Sequence, residues 1–322
     1  MTDKAPTLIA DIGGTHARFA LARDGQVLGK ASVFSCRDYP DLATAANAFI
    51  AELTANHPRR GIIAVAAPIT GDQVQVTNLD WSFSTDQLRQ DLGLDALDIV
   101  NDFTAIAWAV PRLKDNERQH VGGGVAHADA PIVIIGPGSG LGVAALIPVR
   151  GGWTVLPTEG GHVTMAATTA EEDRVLDTLR HRFGHVSAER VLSGQGLANI
   201  YNALADLDGH APQALRPEAI TAQALVDPAS RAGTVLDMFC AFLGTAASNA
   251  ALSFDARGGV YLAGGIIGKL EGAFAASDFR QRFEAKGRYT TYLSHIPTFI
   301  LNHPFPALAG LAKGPLPPTN GR

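Results

Sequence analysis

Two stretches of this chain share one pattern, and that repetition restricts the fold more than any other feature. Near residue 13, an apolar strand over residues 7–10 runs into Asp11-Ile-Gly-Gly-Thr15, and strand character returns over 18–22. Near residue 138, a strand over 131–135 runs into Gly136-Pro-Gly-Ser-Gly140 and returns over 141–147. Each reads as a β-hairpin closed by a glycine-rich turn that carries a hydroxyl. At 322 residues the chain is too long for one compact core. Two half-similar α/β lobes, each supplying one such turn, account for both observations. Apolar spacing predicts helices over 41–56, 84–92 (N-capped by Ser84 or Thr85), 103–110, 171–183, 197–207, 221–226, 235–254 and 305–313. Short helical segments are expected over 188–192 and 266–270. Further strands are expected over 61–67, 74–77, 97–100, 260–263 and 298–301. The proline-rich stretch 315–322 reads as a frayed tail.

The turns suggest phosphate. A glycine-rich turn lets several backbone N–H groups point at one anion with no Cβ in the way. Thr15 and Ser139 each add a hydroxyl donor. Asp11 cannot bind phosphate directly, and its expected role is to hold Mg²⁺ through water, since magnesium keeps much of its hydration shell. Two commoner nucleotide motifs are excluded. The Gly-x-Gly-x-x-Gly fingerprint fails because the third glycine falls at Leu141 or Val143. The P-loop fails because Gly264–Lys269 has too few spacers and is followed by Leu270.

Composition excludes other classes. The net charge of -5 gives no overall positive field for nucleic acid or an anionic membrane. The two cysteines, Cys36 and Cys240, lack metal-site spacing, and Cys240 lies in an apolar run, so neither a disulfide framework nor structural zinc is expected. The first residues show no basic region followed by an apolar stretch, so no signal peptide is expected. No run is read as approaching the roughly 18 apolar residues of a membrane span. A cytoplasmic location follows.

A second set of residues suits a polyhydroxylated ligand. Asn101-Asp102 follows an apolar strand and precedes a helix, where ligands bind in open α/β sheets. Helix capping is the competing reading of this pair. Glu159 and His162 are flanked by glycines in Thr158-Glu-Gly-Gly-His162. Glu189 adds a carboxylate, and taken alone it reads as a surface residue paired with Arg190. Carboxylates accept hydrogen bonds, whereas Asn and neutral His both donate and accept, which matches sugar hydroxyls.

The chain resembles the bacterial glucokinases, within the hexokinase/actin-like ATPase superfamily. The resemblance rests on the segments that begin at Ala10 (ADIGGTHAR), Ala66 (AAPITGD), Val100 (VNDFTAIA), Gly136 (GPGSGLGVA), Pro157 (PTEGGHV), Gly184 (GHVSAERVLSGQGL) and Tyr261 (YLAGGI), in order over nearly the whole chain. It implies an α/β, two-lobed actin-like ATPase (ribonuclease H-like) fold with the ligand cleft between the lobes. The small lobe would comprise 1–110 plus 303–322, with a returning C-terminal helix, and the large lobe 111–302. It implies Asp102 as catalytic base and Asn101, Asp102, Glu159, His162 and Glu189 as glucose ligands. Asp11, Gly13, Gly14 and Thr15 match the first phosphate motif, Gly138, Ser139 and Gly140 the second, and Gly264 and Gly265 the adenosine-side turn. ATP, Mg²⁺ and glucose are the implied ligands, and a homodimer the implied assembly. His16 stands where such enzymes often carry Asn, and Ser139 where they often carry Thr. A kinase for mannose, fructose or an amino sugar is the alternative within the fold. A sugar-responsive regulator would need a helix-turn-helix and usually a Cys-rich zinc motif, and an actin- or chaperone-like ATPase would lack the Glu159/His162/Glu189 cluster. A kinase is therefore expected.

Overall fold

The computed structural model of the chain describes residues 5–54, 57–150 and 152–314. The expected frayed tail (315–322), the last two residues of the helix expected over 41–56, and the first four residues lie outside this set. The chain divides into two compact units, Met1–Lys114 with Val149–Pro157 and His303–Arg322, and Asp115–Pro148 with Thr158–Asn302. The large lobe expected over 111–302 loses two segments to the first unit, 111–114 and 149–157.

The first unit is built on a five-stranded sheet. Its elements are β1 (Thr7–Ile12), β2 (His16–Arg23), β3 (Gln26–Ser35), α1 (Leu42–Ala51), β4 (Arg60–Val65), β5 (Gln73–Gln75), β6 (Ser82–Ser84), α2 (Thr85–Asp91), β7 (Ala96–Asn101) and α3 (Asp102–Ala109). The order β3-β2-β1-β4-β7 puts the first hairpin at one side and parallel strands at the other. Local chemistry sets the helix starts. Asp41 accepts from the N–H of Thr44 to cap α1, and Ser84 accepts from that of Gln87 to cap α2, one of its two expected caps. Pro111 ends α3 as expected, with a 3₁₀ turn over Val110–Arg112. Leu8, Ile12, Phe19, Leu42, Phe49 and Ile63 are all buried in one core.

The second unit begins with β8 (Arg118–Gly122), β9 (Ile132–Pro137) and β10 (Leu141–Val149). After β11 (Gly152–Thr158), all but its last residue in the first unit, come α4 (Ala170–Phe183), α5 (Gly194–Leu207), α6 (Pro217–Val226) and α7 (Arg231–Phe254). Then follow β12 (Val260–Leu262), α8 (Gly265–Lys269), α9 (Glu271–Ala276), α10 (Phe279–Glu284), α11 (Thr290–Ser294) and β13 (Thr298–Leu301). Its sheet contains the run β10-β9-β12-β13-β8. The hairpin β9–β10 again stands beside parallel strands, β12 and β13, so the arrangement of the first sheet recurs. On α4, Val175, Leu176 and Leu179 face inward, acidic residues occupy the first turn and basic residues the last, in the sense that complements the helix dipole. Gly184, at φ 73°, ends it in a backbone region that disfavours side chains.

The expectation that no run approaches a membrane span fails on length and composition. The 24-residue α7 is long and apolar enough to cross a membrane. However, 67% of its most apolar window is buried, and Phe239, Phe242 and Leu243 fill the core of the second unit. A helix apolar on most sides suits a place deep in a core as well as a bilayer. Cys36 and Cys240 are free and buried. Finally, α12 (Pro306–Lys313) lies against α3 in the first unit, where a Cβ on Gly310 would overlap the Ala105 carbonyl.

Candidate active site

In the first unit the phosphate motif and the Asn101-Asp102 pair share one edge of the sheet. β1, β4 and β7 run parallel, with Ile12 beside Val65 and Val65 beside Asn101. The turn after β1 and the residues that end β7 therefore emerge at the same carboxyl edge, where ligands of α/β sheets bind. The Gly13 N–H donates to the His16 carbonyl at 3.0 Å and closes the turn. That bond uses the backbone of His16, so the departure from Asn at this position leaves it intact. Thr15 is exposed at the tip. The Asp11 carboxylate accepts from Arg18 Nη1 at 3.1 Å, and its side chain is 18% exposed. Burial pushes the Asp11 carboxyl above the ordinary carboxylate range, and the Arg18 charge and hydrogen bond oppose that push. Sequence reasoning missed Arg18, although it lies opposite Asp11 in the hairpin register. Cys36, just past β3, also reaches the turn. Its N–H donates to the Thr15 carbonyl at 3.0 Å and its thiol to the Gly13 carbonyl at 3.5 Å.

Both readings of Asn101-Asp102 have a basis in the geometry. Asn101 is the N-cap of α3, accepting from the Phe103 N–H at 2.9 Å while its Nδ2 donates to the Ala67 carbonyl at 3.2 Å. Asp102 Oδ1 accepts from the same N–H at 2.9 Å. Capping thus rests first on Asn101, and half-buried Asp102 stands at the positive end of the helix, where its charge is favoured.

In the second unit the other phosphate motif is gripped from outside its hairpin. Within the turn, the Gly138 N–H donates to the Gly140 carbonyl at 2.7 Å. The Gly138 carbonyl accepts from the Gly194 N–H at 2.9 Å, at the start of α5. The Leu141 N–H donates to Glu189 Oε2 at 2.8 Å. The expected Glu189–Arg190 pair does not form: Arg190 stacks on the Phe183 ring at 4.3 Å, and Glu189 is turned toward the phosphate motif. Gly264, at φ 93°, lies against Pro137, whose carbonyl a Cβ there would overlap. Gly138, Ser139 and Gly265 therefore line one cavity of about 600 Å³, within the range of ligand pockets. Gln195, Glu218, Thr221 and Lys269 line it too. These four were not singled out from sequence, because no local pattern joins α5, α6 and α8.

The three sugar candidates of the second unit belong to connected segments. Glu159 precedes and His162 ends a 3₁₀ turn, with Glu159 Oε2 4.0 Å from His162 Nε2 and both side chains well exposed. The Ala188 N–H donates to the Val163 carbonyl and the Met165 N–H to that of Val186, which ties this loop to the segment carrying Glu189. Among the described residues no group of three or more His, Cys, Asp or Glu is placed to hold a metal. A single carboxylate such as Asp11 would suit a magnesium ion, which binds through one or two carboxylates and keeps several waters.

Residues 8–314 match the model of the glucokinase family. The glucokinase of Paramagnetospirillum magneticum is 51% identical over 308 residues, which cover 95% of this chain and 96% of that protein. A solved glucokinase from an Antarctic psychrotroph is 33% identical with a TM-score of 0.83, covering 96% of this chain and 98% of its own. A glucokinase of Balamuthia mandrillaris solved with glucose, 22% identical, covers 95% of this chain and 92% of its own at a TM-score of 0.81, a likeness of fold.

Proposed function

The chain belongs to the glucokinase family, whose activity is the ATP-dependent phosphorylation of glucose, and on that premise we propose how its own residues carry the reaction. Asp102 accepts the proton of the sugar 6-hydroxyl as that oxygen attacks the γ-phosphorus and the bond to ADP breaks. Asn101 orients the hydroxyl beside it. Glu159, His162 and Glu189 hold the other sugar hydroxyls. An analogue lacking one of these hydroxyls leaves a protein group unpaired, which gives selectivity. The N–H groups around Gly13, Gly14 and Thr15 and around Gly138, Ser139 and Gly140 take phosphate oxygens, and the 600 Å³ cavity beside Gly265 takes the nucleoside. Asp11 would hold Mg²⁺ through water, and the ion, arriving with ATP, would supply charge neutralisation on the phosphates.

The observation that carries the catalytic assignment is the register Ile12–Val65–Asn101, which brings a phosphate-type turn and a strand-end carboxylate to one edge. Phosphoryl transfer depends chiefly on positioning and charge neutralisation, and that edge supplies both kinds of group. A cytoplasmic homodimer at the first step of glycolysis completes the reading, with the free cysteines suiting a reducing compartment. The test is a glucose 6-phosphate dehydrogenase-coupled assay with Mg·ATP across glucose, mannose, fructose and glucosamine. Glucose is expected to be turned over best. No glucose-dependent signal beside brisk turnover of another sugar would overturn the substrate.

A further inference from the structure

Glu189 sits at the meeting point of two sites. Its carboxylate is assigned to the sugar, yet its Oε2 accepts the N–H of Leu141, the first residue past the second phosphate turn, at 2.8 Å. The same segment reaches the other end of that turn, where the Gly194 N–H donates to the Gly138 carbonyl at 2.9 Å. Between them, Ser193 Oγ donates to the Glu189 carbonyl at 2.9 Å and accepts from the Gly196 N–H at 3.0 Å, capping α5. Residues 189–194 therefore grip the turn at both ends. A Cβ on Gly140 would lie 2.5 Å from Glu189 Oε2, so a glycine there leaves room for the carboxylate. The sugar loop closes on the same point, because a Cβ on Gly161 would overlap the Leu141 carbonyl.

We propose that Glu189 is a strut shared by the two substrate sites, through which glucose and Mg·ATP bind synergistically. The proposal rests on the reading of Glu189 as a sugar ligand. An ionised carboxylate offers about four acceptor positions on two oxygens. A sugar hydroxyl on one oxygen fixes the carboxylate in the orientation that Leu141 requires of the other. The phosphate turn is then ordered before the triphosphate arrives, and less freedom is lost when it binds. Linkage requires the effect to be equal in both directions. Toward the phosphate turn Glu189 is a positioning residue.

The test is equilibrium titration of the full chain with glucose and with the magnesium complex of a β,γ-imido ATP analogue, each alone and with the other saturating. In the unchanged protein each ligand is expected to tighten the other by one common factor, about fivefold or more. In Gly140→Ala the added methyl meets only the flexible end of Glu189, so the backbone is kept and the carboxylate displaced. Glucose binding is expected to weaken, although the substitution lies in the phosphate turn, and the coupling factor to fall toward one. Glu189→Gln still offers Leu141 an acceptor but turns a donor toward the sugar, so glucose is expected to weaken and the coupling to vanish. Unchanged glucose affinity in Gly140→Ala would overturn the strut. Weaker glucose binding with full coupling in Glu189→Gln would overturn the strut and leave the sugar-ligand reading standing. Unchanged glucose affinity in Glu189→Gln would overturn both.

Discussion

The two glycine-rich hairpins have the same strand pairing and differ in what holds their tips. The first is braced largely from within. Asp11 and Arg18 face each other across the hairpin, seven residues apart in sequence, and the turn closes on the carbonyl of His16. The second depends on a distant segment, with Glu189 bonding Leu141 across a separation of 48 residues and Gly194 bonding Gly138. A locally braced turn keeps its shape whatever happens elsewhere. A remotely braced turn responds to what binds its brace. The first hairpin therefore suits fixed charge next to the chemistry, and the second suits recognition and coupling.

The largest effect is expected in the first unit, which carries the proposed base Asp102. Asp102→Asn is nearly isosteric, and Asn101 continues to cap α3, so the fold is expected to persist. Loss of the base is expected to lower kcat by roughly 10²–10⁴-fold, with glucose affinity changed little because the amide still bonds a hydroxyl. Initial rates at saturating substrates measure this. A near-normal kcat would mean that Asp102 only supports the helix, and the division of labour between the units would fail.

Asp11→Asn comes next and has two readouts. An outer-sphere carboxylate on magnesium is worth about 10–100-fold in activity, expected here in kcat/KM for Mg·ATP. Stability is expected to move the other way. Because burial raises the Asp11 carboxyl, the folded chain holds that proton more tightly than the unfolded chain. Its contribution to stability is thus present at low pH and lost as pH rises through the raised value. Asn, which has no charge to bury, removes that loss. The melting temperature of the variant relative to the unchanged protein is expected to be higher at pH 8 than at pH 4. A relative gain that grows toward acid would show that the Arg18 pair outweighs burial, making the local brace a source of stability.

The same contrast explains what was legible in the sequence. Patterns within a few residues were readable: both hairpins, the Ser84 cap, the end of α3 at Pro111, and β13 at its full extent. The edge strand β3 was not read, because six of its ten residues are exposed and its apolar positions lack clean alternation. The length and apolar character of α7 are visible in sequence, but whether they serve a core or a membrane is decided by what packs around the helix. At the site, the residue types were legible and their partners were not. Glu189 read as an Arg190 partner because sequence shows neighbours, whereas register and topology place it on Leu141. The cavity beside Ser139 and Gly265 was invisible for the same reason, as its walls come largely from three helices separated along the chain.

Ser139 tests the second turn itself. Its side chain is exposed at the tip, and its proposed partner is a phosphate oxygen. Ser139→Ala is expected to raise KM for ATP about tenfold, the equivalent of roughly 1.4 kcal/mol for one lost bond. Ser139→Thr keeps the hydroxyl and is expected to stay within about twofold of the unchanged protein, below the size of a typical net hydrogen bond. If both raise KM equally, the effect is one of shape at the tip rather than of a donor.

Cys36→Ala is expected to have the smallest effect and asks whether the first turn is truly self-supporting. Cys36 reaches the turn from beyond β3, by its N–H on the Thr15 carbonyl and its thiol on the Gly13 carbonyl. The first of these bonds is backbone and survives any side chain other than proline. The second, at 3.5 Å, comes from a weak donor. Burial raises the Cys36 thiol above its ordinary value, against the lowering effect of Arg18, so the proton that makes this bond is retained at neutral pH. Replacing sulfur by hydrogen at a 1%-exposed position removes some packing, worth about 1 kcal/mol on the scale of a buried methylene. The melting temperature is therefore expected to fall by a few degrees, while KM for ATP stays within about twofold, the turn still being closed by Gly13 on His16 and flanked by the Asp11–Arg18 pair. A tenfold rise in KM for ATP, with the melting temperature unchanged, would reveal that the thiol holds the turn. The first hairpin would then be braced from outside like the second, and the difference between them would reduce to which side chain does the bracing.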